Sequence, residues 1–147
     1  MGAHPFWYFF PYDPDIQSAL NALRNREFEA GRYNPVVSYI EFPVDPSKVG
    51  PGRQHRSIEH ARESANEDGT RSILDIEEIS DSPEYGAAVE LHTSYLEELF
   101  DTTQPTHDMV ESELRIFDRI ERGQAVYVIV FKDEKPTELF FAGYSFD

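Results

Sequence analysis

The chain has 147 residues, of which 28 are acidic and 13 are basic, so its net charge is −15. It contains no cysteine, which excludes disulfides, a thiolate nucleophile and cysteine-ligated metal sites. The acidic excess repels phosphate backbones and anionic membranes, so we expect neither nucleic acid nor a membrane as a partner. No apolar run approaches the roughly 18 residues that span a bilayer, and the N-terminal residues lack the basic start of a secretory signal. We therefore expect one soluble, cytoplasmic domain covering residues 1–147.

The first two predicted elements are a strand and a helix. Residues 5–11 form an aromatic tract bracketed by prolines, which is typical of a strand. Asp13 is the predicted helix N-cap, Pro14 the first helical residue and Gly31 the C-terminal cap. The apolar residues between them recur at helical spacing: Ile16, Ala19, Leu20 and Leu23.

The next region is predicted to alternate strands with a loop and a short helix. Residues 36–42 are apolar enough for a second strand, and residues 43–56 predict a long surface loop because they hold three prolines and two glycines. Ser57 is the expected cap of a short helix that stops at Asp68-Gly69. Residues 70–79 predict a third strand, and because its acids Asp75, Glu77 and Glu78 keep part of it in solvent, we expect it at an edge or near a strand end.

Three further elements precede the C-terminal end. Residues 87–91 predict a short strand. Ser94 and Glu97 match a capping box for a short helix that ends near Asp101. Thr106 is the expected cap of a longer helix over residues 107–122, ended by Gly123.

The C-terminal end predicts a β-hairpin. Residues 125–131 are apolar at every position, residues 132–136 are polar or turn-forming, and residues 137–144 form a second run. Side chains alternate along a strand, so Val128 and Ile129 point to opposite faces. Because both faces are apolar, we expect this hairpin to provide central strands with cover on each side.

Together these elements predict an α+β fold with a mixed or mostly antiparallel sheet of about four to six strands and about four helices. Two apolar faces need cover, which the helices or a second copy of the chain could supply. A homodimer is therefore one alternative that the sequence leaves open.

Basic side chains are concentrated in one region and define the first candidate site. Eight of the thirteen bases lie between residues 24 and 71. Guanidinium groups bind carboxylates and phosphates in a bidentate manner, so convergence of several would form an anion site. The alternative is that they pair with neighbouring glutamates on their own helices. The candidate residues are Arg24, Arg26, Arg32, Arg53, His55, Arg56, Arg62 and Arg71.

Acidic side chains dominate the second half and define the other candidate site. Residues 72–147 carry eighteen acids and five bases, a net of −13, against −2 for residues 1–71. Rows of carboxylates can oppose the basic surface of a toxin or nuclease, whereas the simpler interpretation is a solvated face. The candidate residues are Asp75, Glu77, Glu78, Asp81, Glu84, Glu97, Glu98 and Asp101.

No motif identifies catalytic residues. The histidines share no metal-ligand spacing, and nucleophile motifs and glycine-rich phosphate loops are missing. We therefore predict no metal and no cofactor. The favoured function is a non-catalytic protein that binds a basic partner, as an inhibitor or immunity protein does. The alternatives are a small enzyme or ligand-binding domain that holds an anionic molecule near the aromatic N-terminal strand, and an oligomeric structural protein.

Overall fold

The structure is a computed structural model that describes residues 3–146. Within this range, five strands form one mixed sheet. The strands are β1 (Pro5–Pro11), β2 (Glu78–Ile79), β3 (Ala87–Glu90), β4 (Ala125–Lys132) and β5 (Lys135–Tyr144). Their order across the sheet is β1-β5-β4-β3-β2. β1, β5 and β4 are antiparallel neighbours, whereas β4, β3 and β2 run parallel. The predicted α+β fold and the central hairpin are thus confirmed.

Four α-helices and three short 3₁₀ segments complete the described part of the chain. The helices are α1 (Ile16–Ala30), α2 (Ile58–Ala65), α3 (Thr93–Phe100) and α4 (His107–Glu111). The 3₁₀ segments are Asn66–Asp68, Ile73–Asp75 and Leu114–Arg119.

The two faces of β4 are both covered within the chain. Tyr127 faces a core that contains Leu20 and Leu23 of α1, and Val128 faces a core that contains Leu96 of α3 and Ile116 of the last 3₁₀ segment. Apolar burial of this kind is the main stabilising contribution to folding. The protein's own helices therefore cover both apolar faces of β4.

Backbone hydrogen-bonding groups on the free edge of β2 are paired with a side chain. Gln17 of α1 accepts a hydrogen bond from the Ile79 backbone N–H at 2.8 Å and donates one to the Glu77 carbonyl at 3.2 Å. An exposed sheet edge invites unwanted pairing, and this amide occupies the position that a sixth strand would take.

Several predicted boundaries are wrong because side chains cap the backbone in unexpected places. Asp15, not Asp13, caps α1 through the Ser18 N–H. His92, not Ser94, caps α3 through Nδ1. The long helix predicted over residues 107–122 is broken after α4, where the Glu113 carboxylate accepts the Arg115 N–H and starts a 3₁₀ segment. Such local hydrogen bonds compete with regular helix.

One predicted strand is not formed, and another is a strand only at its end. Residues 36–42 form no ladder, because Val36 packs beside Tyr33 while Phe42 packs on Trp7 and Tyr8. The apolar side chains of this segment therefore pack into different hydrophobic clusters. Residues 70–79 are a strand only at Glu78–Ile79, since a 3₁₀ segment capped by Ser72 occupies the middle of the run.

A buried ion cluster fixes the end of α1. Glu27 is fully buried, and its two carboxylate oxygens accept hydrogen bonds from Arg32 at 2.7 and 2.8 Å and from Arg26 at 2.8 Å. A buried carboxylate is tolerated only with such partners. Gly31 follows in the left-handed conformation at φ 73°, where an added Cβ would lie 2.4 Å from the Gly52 carbonyl oxygen.

We predict that Glu27→Ala lowers the free energy of unfolding by about 3–5 kcal/mol, because it leaves partly buried guanidinium groups without a counter-charge. Urea unfolding measures this change. Glu29→Ala is the matched control, since the Glu29 side chain is 46% exposed and pairs with Arg53 at 3.3 Å. It is expected to change stability by less than about 1 kcal/mol. Equal losses in the two variants would contradict a structural role for the buried cluster.

Candidate functional site

A cavity of about 290 Å³ lies between the start of β1 and the segment from residue 34 to residue 42. This volume is at the lower end of the range for small-molecule sites. Its apolar wall is formed by Trp7, Val37, Ile40 and Phe42. Tyr39 stands at the rim, where its side chain is 78% exposed.

The aromatic wall is held in place by edge and tilted ring contacts. The Trp7 ring lies 5.4 Å from Phe42 and 5.5 Å from Phe117, measured between centroids. Phe42 in turn meets Tyr8, whose ring is fully buried, at 5.4 Å and an interplanar angle of 82°. Such contacts favour fixed ring orientations. The orientation of the Trp7 indole at the cavity is therefore fixed by contacts with two other rings.

The polar end of the cavity is built where two loops are joined. The Asn34 backbone N–H donates to the Thr70 carbonyl at 2.9 Å, and the Asn34 side-chain amide donates to the Gly69 carbonyl at 2.9 Å. Next to this junction Arg71 lines the cavity. Its φ is 54°, a left-handed conformation that is uncommon for a residue with a side chain.

The buried carboxylate of Asp75 determines the shape of this turn. Both of its oxygens accept the Thr70 N–H at 3.0 Å, and Oδ1 also accepts the Thr70 hydroxyl at 2.9 Å. Burial raises the pKa of the Asp75 carboxyl, and the Thr70 donors and Arg62 offset only part of that rise. At Gly69 an added Cβ would lie 2.8 Å from Oδ2, so glycine allows the close approach. Asp75 therefore positions the backbone that carries Arg71.

The cavity contrasts in charge with the rest of the protein. None of the described residues that line it is acidic, and Arg71 contributes a permanent positive charge. A second cavity of about 240 Å³ adjoins it through the shared residues Val37, Tyr39 and Ile40, and that one is lined by Arg32 and Lys48 as well as by acids. The lining of the first cavity therefore differs from that of the second in having no described acidic residue.

Most of the predicted anion-site residues pair with groups of the protein itself. Arg24 donates to the Leu74 carbonyl at 2.8 Å, and burial together with repulsion by Arg62 lowers the pKa of Arg24 to about 10. Arg26 and Arg32 belong to the Glu27 cluster.

The remaining members lie along the following loop and α2. Arg53 pairs with Glu29 at 3.3 Å, and Arg62 forms an ion pair with Glu77. His55 shares a hydrogen bond of 2.6 Å with the Tyr33 hydroxyl, and Arg56 is exposed. Of the eight predicted residues, the structure brings only Arg71 to the aromatic cavity.

The predicted acidic residues divide into three groups. Asp75 is in the interior at 1% exposure. Glu77 and Glu98 are exposed but paired, with Arg62 and with Arg119 at 3.0 Å. Five carboxylates are exposed and make no hydrogen bond or ion pair within the described residues: Glu78, Asp81, Glu84, Glu97 and Asp101.

The cavity residues Asn34, Tyr39 and Phe42 were missed by sequence reasoning, although the aromatic N-terminal strand was placed near the ligand. One signal was present in the segment from residue 33 to residue 42. Its aromatic side chains do not alternate with polar ones as a strand with one wet face requires. That irregularity favours a loop whose rings pack in different directions.

His107 is the most constrained histidine in the structure. Its Nδ1 lies 2.9 Å from the Glu138 carboxylate and its Nε2 lies 2.9 Å from the Glu111 carboxylate, while the ring stacks on Phe9 at 3.9 Å. Burial alone lowers the pKa of His107, but the two carboxylates outweigh burial and raise the pKa above its ordinary value. When the ring is protonated, both nitrogens donate and the imidazolium links α4 to β5.

No protein-family model, curated protein or solved structure matches the chain. Within residues 3–146, histidine and acidic side chains form no group that could hold a metal ion. None of the helices in the same range is long and apolar enough to cross a bilayer.

We predict a pH-dependent contribution of His107 to stability. Because the folded-state pKa is raised, this contribution is complete below the unfolded-state pKa of about 6.5 and is lost as the pH rises through the folded-state value. Unfolding free energies measured from pH 5.5 to 9 should show this loss in the wild type and not in His107→Gln. His92→Asn is the control, since asparagine keeps a helix cap and should retain the wild-type slope. The same slope in wild type and His107→Gln would refute the assignment.

Proposed function

We propose that the protein is a non-catalytic binding protein whose small-molecule ligand occupies the cavity beside β1. The observation that carries this proposal is the cavity itself, which has a preorganised indole wall and a strained arginine at its polar end. Pockets that combine apolar walls with a few fixed polar groups are the usual form of a ligand site. This develops the ligand-binding alternative that the sequence had left open.

Binding, rather than a chemical step, is favoured by how the nearby titratable groups are used. The Asp75 carboxylate is occupied by hydrogen bonds from Thr70. His55 Nδ1 is engaged by Tyr33, and burial lowers the pKa of His55. A general acid or base needs a proton-transfer position facing the substrate. Asp75 and His55 contact other parts of the protein, and the histidine that lines the cavity is His4.

The single tryptophan of the chain is Trp7, so indole fluorescence reports on this cavity directly. We predict that screening a library of small organic molecules finds ligands that change Trp7 emission in a saturable way. Tyr39→Ala should weaken their binding about 2- to 10-fold, the usual contribution of an aromatic contact. Tyr85→Ala is the matched control, because Tyr85 is similarly exposed at 68% but lies outside the cavity.

Two results would overturn the proposal. One is a diverse library in which no compound changes Trp7 emission. The other is a set of ligands whose affinities fall equally in Tyr39→Ala and Tyr85→Ala, since that would place their site elsewhere.

A second candidate function is the binding of a basic protein partner, and one observation favours it. Arg26 and Arg32 pair with the buried Glu27, whereas five of the predicted acidic residues carry exposed carboxylates that form no ion pair within residues 3–146. These five carboxylates place negative charge on the surface. Such surfaces accelerate encounters with basic partners.

We predict that a partner captured by the wild-type protein at low salt is lost as salt rises, because screening shortens the range of surface charges. Glu97→Gln combined with Asp101→Gln should weaken capture. Glu59→Gln combined with Glu67→Gln is the control, because these exposed acids lie in the less acidic first half. Capture that is indifferent to salt, or equal in the two double variants, would exclude this function.

A further inference from the structure

We propose that the protein binds a primary alkylammonium group between the Asp81 and Glu90 carboxylates and the Tyr127 hydroxyl. These three groups line a cavity of about 370 Å³ at the ends of β2 and β3, the strand-end cavity. It shares no described lining residue with the β1 cavity, so this inference does not rest on the proposed function. A free amine and a lysine side chain carry the same group, and the experiment below separates the two sources.

The strand-end cavity exists because the parallel strands end at different points along the sheet. β3 ends at Glu90, which pairs with Tyr127 inside β4, and the Leu91 N–H still donates to the Tyr127 carbonyl at 3.0 Å. The chain then leaves the sheet and starts α3 at Thr93, while β4 continues to Lys132. A crevice at the carboxyl ends of parallel strands is the usual place for a ligand on an open sheet.

The two carboxylates reach the cavity from neighbouring strands. Glu90 and Tyr127 lie on the same face of the sheet, because directly paired residues point to the same side. On the other side of β3, the Ser80 N–H donates to the Ala88 carbonyl at 2.9 Å, which keeps the chain beside β3 up to the residue before Asp81. Neither carboxylate makes a hydrogen bond or an ion pair within residues 3–146, so both remain available to a ligand.

The Tyr127 hydroxyl distinguishes this cavity from an ordinary acidic surface. Tyr127 is only 8% exposed, yet its hydroxyl makes no hydrogen bond within the part of the chain that the structure describes. Burial raises the pKa of this hydroxyl, and the charges of Glu90 and Asp81 raise it further, so it lies in the field of both carboxylates. A buried polar group without a partner costs free energy, and a donor bound in the cavity removes that cost.

The charge of the lining favours a cation. No described lining residue is a lysine or an arginine. The histidine of the lining, His92, caps α3 by accepting the Ser94 N–H on Nδ1 at 3.1 Å, and a ring nitrogen that accepts a hydrogen bond carries no proton. The capping imidazole is therefore neutral and does not offset the two carboxylates. A bound cation meets two opposite charges with which it forms charge-assisted hydrogen bonds.

The acceptors and the apolar lining define the kind of cation. An alkylammonium carries three N–H donors on a single atom, and the cavity supplies three acceptor groups, of which two are charged. Ile79 and Leu91 line the same cavity, so an alkyl chain attached to the ammonium finds apolar contacts. A quaternary ammonium has the same charge but no N–H donor, which makes it the sharpest comparison.

The test uses the full-length protein labelled with ¹⁵N and with ¹³C in its tyrosine rings, and the Tyr127 ring signal is identified by its loss in Tyr127→Phe. The probes are pentylamine, the N-methylamide of acetyl-lysine, pentyltrimethylammonium and pentanol. Both primary amines should shift the Tyr127 ring and Leu91 amide signals in a saturable way, and the tighter of the two identifies the source. Pentanol should bind about tenfold more weakly than pentylamine, and the quaternary ion about 2- to 10-fold more weakly.

Variants of the lining test each contact through the Leu91 amide signal. Tyr127→Phe keeps the buried ring and removes a hydroxyl that makes no hydrogen bond within residues 3–146, so the fold should be retained while pentylamine binds about 2- to 10-fold more weakly. Glu90→Gln should weaken binding about tenfold. Glu84→Gln is the matched control, because it removes the same charge from an exposed residue outside the cavity. It should change the affinity less than about twofold.

Four results would overturn the inference. The first is that neither primary amine shifts the Tyr127 and Leu91 signals. The second is that pentanol or the quaternary ion binds as tightly as pentylamine. The third is an equal loss of affinity in Glu84→Gln and Glu90→Gln, which would mean that only the overall acidity attracts the amine. The fourth is wild-type affinity in Tyr127→Phe. The β1 cavity is tested separately through Trp7 emission, so none of these results decides the proposed function.

Discussion

The rest of the structure depends on the need to bury both faces of β4. Tyr127 and Val128, adjacent on this strand, are 8% and 1% exposed and belong to different cores. One face is covered by α1, which follows β1 directly, and the other by α3, α4 and the last 3₁₀ segment, which connect β3 to β4. These helices cover the two faces of the sheet. The long segment between α1 and α2 covers the outer side of β1 instead, where Phe42 packs on Trp7.

The sequence was informative wherever structure depends on local periodicity. The hairpin, β1, β3 and the cap of α2 by Ser57 all follow from alternation or from a capping residue next to an apolar run. It failed where polar side chains compete for backbone N–H groups. The Asp75 carboxylate takes the Thr70 N–H that a strand ladder would use, and Glu113 stops the continuation of α4. The spacing of Asp75 and Glu113 in the sequence does not show whether their carboxylates accept backbone N–H groups or face solvent.

The candidate site was only partly predictable for a related reason. An arginine cluster in sequence can mean either an anion site or a set of internal pairs, and the two differ only in three-dimensional convergence. Arg26 and Arg32 converge on Glu27, one to five residues away along the chain. Arg71 reaches the cavity because Asn34, thirty-five residues before Gly69, joins its loop to the turn. A contact between residues so far apart in the chain leaves no pattern in the local sequence.

Arg71 and Asp75 each add a cost to the folding of this turn. A non-glycine residue in the left-handed region costs about 1–3 kcal/mol at strained sites, and glycine at position 71 would avoid the cost. Burial of Asp75 adds a second cost, which its hydrogen bonds offset only in part. The buried carboxylate nevertheless fixes the backbone of Thr70, and with it the left-handed residue that follows at the edge of the aromatic cavity.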